Sequence, residues 1–249
     1  MDVAFGCVDF MVKQIKTGIF GLDSVLFGGI PEHNQVVVAG GPGAGKSLLS
    51  FEFLYRSALE GEIGIMFSLD EEVDKLLENV KEVFVGMEKI DEFIKEGKIT
   101  VIGEGLSDSV RQVGGDTTYQ FGKVVADIEA YVKKTGATRV VIDSISLLDL
   151  MINDKIIYRR SMLALASNLR RLGVTSMITV ESESIDRGKL EFVPEYFIFD
   201  GIIALYQNGE EDKRVLSLEV IKMRGGKHSF MTVPYDIASD GFKIYAQGT

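Results

Sequence analysis

The chain has 249 residues, 46% of them hydrophobic, and a formal net charge of -10. That length and apolar content support one large domain with a substantial core, and the acidity argues against a dedicated nucleic-acid coat, whose surface is ordinarily basic. A single cysteine, Cys7, excludes an internal disulfide and fits a reducing, cytoplasmic location. No apolar run approaches the roughly 20 residues needed to span a bilayer.

MDVAFGCVDFM is too short and too acidic for a signal peptide. Residues 1–12 read as a ragged N-terminal extension, its order left open, ahead of one domain over 13–249. QVVVAG (35–40) predicts a short buried strand. SLLSFEFLYRSALEG (47–61) has apolar residues at helical spacing and closes on Gly61, a C-cap signal. IGIMFSL (63–69) reads as a second strand, and DEEVDKLLENVKEVF (70–84) as a helix with acids in its first turn. KITVIG (98–103) is a strand; TTYQFGKVVADIEAYVKKTG (117–136) is a long helix ending on Gly136. RVVIDSIS (139–146), IIYRRSMLALASNLRRLG (156–173) and VTSMITVES (174–182) read as strand, helix and strand.

Strands separated by helices imply βαβ units and a mostly parallel, twisted sheet flanked by helices. After residue 200 the rhythm changes. GIIALYQN, RVLSLEVIKM, FMTVPYDI and GFKIY follow one another without a helix. They predict an antiparallel C-terminal extension on the sheet edge, giving one mixed sheet in one α/β domain.

GGPGAGKS (40–47) fits G-x-x-x-x-G-K-[ST] between a strand and a helix. Its glycines let the backbone wrap a phosphate with N–H groups pointing inward. Gly41, Gly43, Ala44, Gly45, Lys46, Ser47 and Leu48 are the candidate nucleotide contacts. Lys46 supplies charge for the β- and γ-phosphates, and the Ser47 hydroxyl is placed for Mg²⁺. Asp143 ends an apolar strand at the edge where open α/β sheets bind ligands, and is the second candidate Mg²⁺ ligand.

The strand at 63–69 runs into Asp70-Glu71-Glu72, where a carboxylate could activate water. Ser68-x-x-Glu71 also fits a capping box, and both readings stay open. Glu181, at the end of the fifth strand, is either a sensor of the γ-phosphate or a solvated strand terminus. Arg159 and Arg160 read as surface or interface charges rather than catalytic ones, and His33 as a turn residue. No Cys/His cluster suggests structural zinc.

KMRGGKH (222–228) carries Lys222, Arg224, Lys227 and His228 with no acid to balance them. In strand geometry Leu216, Leu218 and Val220 share one face, and Lys222 and Arg224 continue it about 6–7 Å apart. Two parallel cationic arms suit a pair of phosphate oxygens.

GIFGLDSVLFGGIPEHNQVVVAGGPGAGKS, then SLDEE, RVVIDSIS, DGIIALY and LEVIKMRGGKHS, resembles the KaiC-type ATPases of the RecA-like branch of phosphate-loop NTPases, over about Lys13 to Tyr245. The resemblance implies a RecA-like core in a homo-oligomeric ring, usually a hexamer, with ATP and Mg²⁺ between neighbours. It places the segment Lys222, Met223, Arg224 and His228 against the next subunit's nucleotide, with Lys222 and Arg224 reaching the γ-phosphate in trans. The family's paired acids fall on Asp70 and Glu71. The usual pair is Glu-Glu, so Glu71 is favoured as base with Asp70 assisting. ATP rather than GTP rests on the resemblance alone.

Tyr196 and Phe197 stand where the clock protein's second domain carries phosphorylated hydroxyls, so clock-style autophosphorylation is not supported. Two alternatives accompany the ATPase reading. A DNA-acting recombinase relative would bind DNA through LLDLMINDK (147–155) and SESIDRGKLEFVPEY (182–196), which hold more acids than bases. A nucleotide-gated scaffold would hydrolyse ATP very slowly and recruit partners.

Overall fold

Val36, Val37 and Val38 are all fully buried, so the strand that carries them is covered on both faces, as in a parallel sheet between helix layers. The structure, a computed structural model, describes residues 12–103, 117–146, 152, 154–182, 194–210 and 213–246. The expected extension over 1–12 lies outside these residues except for Val12. In chain order the elements are β1 (Gln14–Ile15), α1 (Leu22–Val25), β2 (Ile30–Pro31), β3 (Gln35–Gly40), α2 (Lys46–Leu59) and β4 (Gly64–Ser68). Then come α3 (Val73–Val83), α4 (Ile90–Lys95), β5 (Ile99–Ile102), α5 (Thr117–Thr135), β6 (Arg139–Asp143), α6 (Lys155–Leu172) and β7 (Thr175–Glu181). A 3-10 turn (Pro194–Ile198) leads to β8 (Gly201–Glu210), β9 (Lys213–Met223), β10 (Val233–Ala238) and β11 (Gly241–Ile244).

One nine-stranded sheet runs in the order β11-β10-β9-β8-β3-β7-β6-β4-β5. Alternate side chains of β3 feed two cores. Val36 and Val38 face Phe51 and Leu54 of α2, with Phe84 and Phe93 beyond them. Val37 and Ala39 belong with Ile128 of α5 and Met162, Leu165 and Leu169 of α6. No helix among the described residues is long and apolar enough to cross a membrane.

Three expectations change. The antiparallel extension begins one strand later than the sequence reading has it. β8 pairs parallel with β3, Val36 opposite Gly201 and Gly40 opposite Leu205. Its run Ile202, Ile203, Ala204 and Leu205 is fully buried, the pattern of an internal parallel strand rather than an edge. β6 stops at Asp143, three residues short of the expected strand end.

The third change concerns β9. Ile202 faces Lys222 but Ile203 faces Val220, so Ile221 is an extra residue in a β-bulge. The bulge shifts the alternation. Met223, not Lys222, joins Leu218 and Val220 in the first core. Lys222 and Arg224 therefore leave the strand on the opposite face from Leu216, Leu218 and Val220.

The C-terminal hairpin β10–β11 is fastened to α2 by a buried carboxylate. Glu52 is fully buried; it accepts from Phe242 N at 2.7 Å and from Arg56 Nη2 at 2.9 Å. Burial pushes its carboxyl up, against those two partners, which pull it down. Glu52→Ala is expected to cost about 3 kcal/mol, since it strands the Phe242 N–H and the Arg56 guanidinium. Urea denaturation measures this, and hydrogen exchange at Phe242 should accelerate. A cost below about 0.5 kcal/mol, the scale of an ordinary surface change, would contradict the clamp.

Candidate functional site

β3 ends on Gly40, where a Cβ would sit 2.7 Å from Leu205 O. The following loop turns through Gly43 and Gly45, at φ of 76° and 87°, which glycine adopts at little cost. α2 then starts at Lys46 with Gly45 as N-cap and no side-chain cap. Its first-turn N–H groups and positive dipole end are thus available to an anion. Lys46 is only 8% exposed, and its Nζ donates to Gly41 O at 3.1 Å. Burial pushes its pKa down; Glu181, Asp143 and Asp70 push it back up, in that order.

Those acids converge because three parallel strands end together. Gly40 is paired with Glu181, and Ser68 with Asp143. Asp143 is buried and accepts from Thr179 Oγ1 and from Ser47. Burial raises its pKa, opposed by those two bonds and by Lys46. Asp70 follows β4 and is hydrogen-bonded to Ser144. Its pKa is also raised, first by burial of the carboxyl and then by Asp143 and Glu181.

The capping box does not form. α3 starts at Val73 with Glu72 as N-cap, and Ser68 Oγ donates to Glu71 O at 2.6 Å. The Glu71 side chain is thereby released from backbone capping. Its Oε1 accepts from Asn79 Nδ2 at 3.0 Å and lies 3.6 Å from Lys75 Nζ. A cleft of about 400 Å³ is lined by Gly43, Gly45, Lys46, Ser47, Leu48, Glu71, Asn79 and Glu181. Asp70 is not on its wall.

The second cationic segment lies elsewhere. Lys222 is level with Val37 through Ile202, and Arg224 N bonds Asp200 O below the start of β8. Arg224 is therefore roughly 15 Å below the phosphate loop along the strands and roughly 10 Å across two strand spacings. The two cations are not without partners in their own chain. Lys222 Nζ donates to Phe197 O at 2.9 Å and Phe199 O at 2.6 Å. Arg224 Nη2 donates to Phe197 O at 3.3 Å, and Nη1 is 3.7 Å from Asp200 Oδ1. Burial, then the neighbouring Arg224, pushes the Lys222 pKa down.

Met223 enters the proposed segment through its main chain. Its side chain is buried, with its sulfur 3.0 Å from the Cβ position of Gly201, so only its backbone could meet a ligand. His228 is half-buried; its Nδ1 is 2.9 Å from Ser229 O and its ring is 4.9 Å from Phe230. Tyr196 is buried in the 3-10 turn, and Arg159 lies 3.7 Å from Glu195. The segments weighed as DNA contacts lie mostly outside the described residues.

Sequence reasoning missed Asn79, Thr179, Gln207 and Tyr235. Gln207 Nε2 donates to Pro42 O at 2.8 Å, and Tyr235 Oη donates to Ala44 O at 2.6 Å. Both bonds span more than 160 residues of chain, so no local motif announces them. Among the described residues no group of three or more His, Cys, Asp or Glu is placed to hold a metal. A hydroxyl and one buried carboxylate at the phosphate loop do suit Mg²⁺, which takes one or two protein ligands and completes its shell with phosphate oxygens and water.

The family model described as "ATPase: KaiC" matches residues 15–249. A UPF0273 protein of Thermotoga maritima is 34% identical over 245 residues, covering 94% of this chain and 97% of that protein. A UPF0273 protein of Aeropyrum pernix is 32% identical over 241 residues, covering 94% of each. The circadian clock oscillator protein KaiC of Thermostichus vulcanus is 28% identical over 238 residues; the match covers 95% of this chain and 45% of that longer protein. The crystal structure of a KaiC-like protein from Pyrococcus horikoshii OT3 superposes with a TM-score of 0.78 at 30% identity, covering 94% of this chain and all of that one.

The raised pKa of Asp143 has a stability consequence. The folded chain holds this proton more tightly than the unfolded chain, so the contribution is favourable at acid pH and is lost as pH rises through the folded pKa. Above the ordinary carboxylate pKa, keeping this group buried therefore costs stability, whichever protonation state it adopts. Asp143→Asn should raise the ligand-free Tm by about 2–4 °C at pH 7.5, with the gain shrinking toward pH 4. A Tm that falls at pH 7.5 would contradict this.

Proposed function

This chain belongs to the KaiC family of ATPases, and on that premise we propose that it binds ATP with Mg²⁺ and hydrolyses it to ADP and phosphate at a composite site between neighbouring copies in a ring. Turnover would serve as a regulatory or conformational switch. The observation that carries the reading is the convergence of Lys46, Ser47, Glu71 and Glu181 on one cleft, with buried Asp143 behind Ser47.

In this reading the loop N–H groups and Lys46 hold the β- and γ-phosphates. Ser47 and Asp143 would hold Mg²⁺, which supplies charge neutralisation at the phosphates when bound. Glu71 is the general base. Asn79 and Lys75 both engage its Oε1, which fixes the carboxylate and leaves Oε2 to take a proton from the attacking water. Asp70 assists from beside Asp143, and Glu181 senses the γ-phosphate from the end of β7.

Lys222 and Arg224 cannot serve the loop of their own chain, since they sit at the opposite edge of the sheet. In a head-to-tail ring that edge faces the next subunit's loop edge, a heterologous contact that closes on itself. To reach a γ-phosphate there, the two arms leave the Phe197 and Phe199 carbonyls. Lys222 exchanges neutral carbonyls for a polyanion, and Arg224 exchanges a carbonyl and a 3.7 Å contact with the single carboxylate of Asp200 for it, which favours that move. The ring is hexameric, and ATP the nucleotide, by the family resemblance.

Lys46→Ala and Arg224→Ala should each be inactive as pure assemblies. Mixed one to one under subunit exchange, they should regain roughly a quarter of wild-type turnover, the random share of interfaces with both an intact loop and an intact arm. Confirmed exchange with no recovered turnover would rule out the composite site.

A further inference from the structure

We infer that Gln207 and Tyr235 are positioning residues that set the phosphate-holding shape of the loop by pinning two of its carbonyls from behind; this rests on the nucleotide reading above. Neither residue belongs to a motif, and neither lines the cleft.

The reasoning starts from the peptide unit. It is planar, and in the trans form its C=O and the following N–H point in opposite directions. The Pro42–Gly43 and Ala44–Gly45 peptide bonds are trans. Gln207 Nε2 holds Pro42 O at 2.8 Å, and Tyr235 Oη holds Ala44 O at 2.6 Å. Each bond draws a carbonyl toward the protein interior. The N–H groups of Gly43 and Gly45 are thereby turned the other way, toward the cleft that both glycines line. Among the described residues neither N–H donates to the protein. Two alternate peptide units pinned in this way form a concave anion nest.

The pins are needed because the loop is soft. Gly43 and Gly45 can leave their left-handed φ values for many other conformations, so an unpinned loop would lose that freedom on binding. The pins themselves are stiff. Tyr235 is 1% exposed and stacks on Phe242, ring centroids 5.4 Å apart. Burial pushes its phenol pKa up, so it remains a donor at physiological pH. Gln207 is 5% exposed and lies two residues beyond Leu205, the partner of Gly40. A Cβ at Gly45 would lie 2.8 Å from Ile237 Cδ1 and 2.9 Å from Phe242 Cζ. The loop thus rests directly on the C-terminal hairpin.

Tyr235→Phe keeps the ring stack and deletes one donor; Gln207→Leu keeps the bulk and deletes the other. Calorimetric titration with MgADP and with magnesium pyrophosphate, well below the Tm of each protein, reads the loop directly. Each variant should weaken both probes by about tenfold, by the same factor for both, because the loss lies in phosphate contacts. Either variant alone suffices if the other fails to fold. A lowered ligand-free Tm with unchanged Kd for both probes would reduce the two residues to ordinary packing and overturn the inference. Weaker MgADP with unchanged pyrophosphate binding would also overturn it, placing the effect at the nucleoside. Wild-type protein that binds neither probe would overturn the nucleotide reading itself, and the inference with it.

Discussion

A lysine ammonium buried at the end of a parallel sheet is the charge around which the site is arranged. Among the described residues Lys46 has only a carbonyl, Gly41 O, as a direct hydrogen-bond partner, and burial works against its charge. Three carboxylates, from Glu181, Asp143 and Asp70, offset that penalty from three different strand ends. The acids in turn strain one another. Asp143 and Asp70 are both held above the ordinary carboxylate range by burial, and Glu181 adds to each. Perturbed groups of this kind gather at functional sites, and the divalent cation of the proposed nucleotide complex would offset their mutual repulsion.

Sheet polarity then divides the labour. Parallel strands bring the loops of the candidate site to one edge, and β9, running the other way, delivers Lys222 and Arg224 to the opposite edge. In the proposed reading, a chain built this way would hold both halves of a phosphate site and could not join them by itself. The β8–β11 region has a second use, since Gln207 and Tyr235 reach back from it to the loop. The same C-terminal segment thus carries Lys222 and Arg224 at one end of the sheet and supports the loop at the other.

The legible parts of the sequence were the local ones. The phosphate loop is a contiguous signal with glycines at the positions where φ is positive, and strand–helix alternation follows from apolar periodicity alone. Asp143 and Glu181 were readable because they end buried strands. What failed was decided by local competition for a hydrogen bond or by partners far away in sequence. Ser68-x-x-Glu71 satisfied the capping pattern, yet Ser68 found the Glu71 carbonyl first and α3 began one residue after its Glu72 N-cap. A strict period of two carried Lys222 to the face of Val220, and one bulged residue, Ile221, reversed it. Continuous burial in Ile202–Leu205 marked β8 as internal, a signal the absence of helices after residue 200 obscured. Gln207 and Tyr235 had no signal at all, because each is defined by one contact with a residue 165 or 191 positions away; Asn79 reaches Glu71 across only eight residues, a spacing that no motif marks.

The composite site is tested most directly with an ATP analogue bearing an acyl group on its γ-phosphate, which transfers that group to lysines within reach. In the assembled protein both Lys46 and Lys222 should be acylated, and excess ATP should suppress both. In protein diluted to monomers before the analogue is added, Lys46 should still be acylated and Lys222 should not. Labelling of Lys46 without Lys222 in an assembled ring would contradict the assignment of the arms to the neighbouring nucleotide.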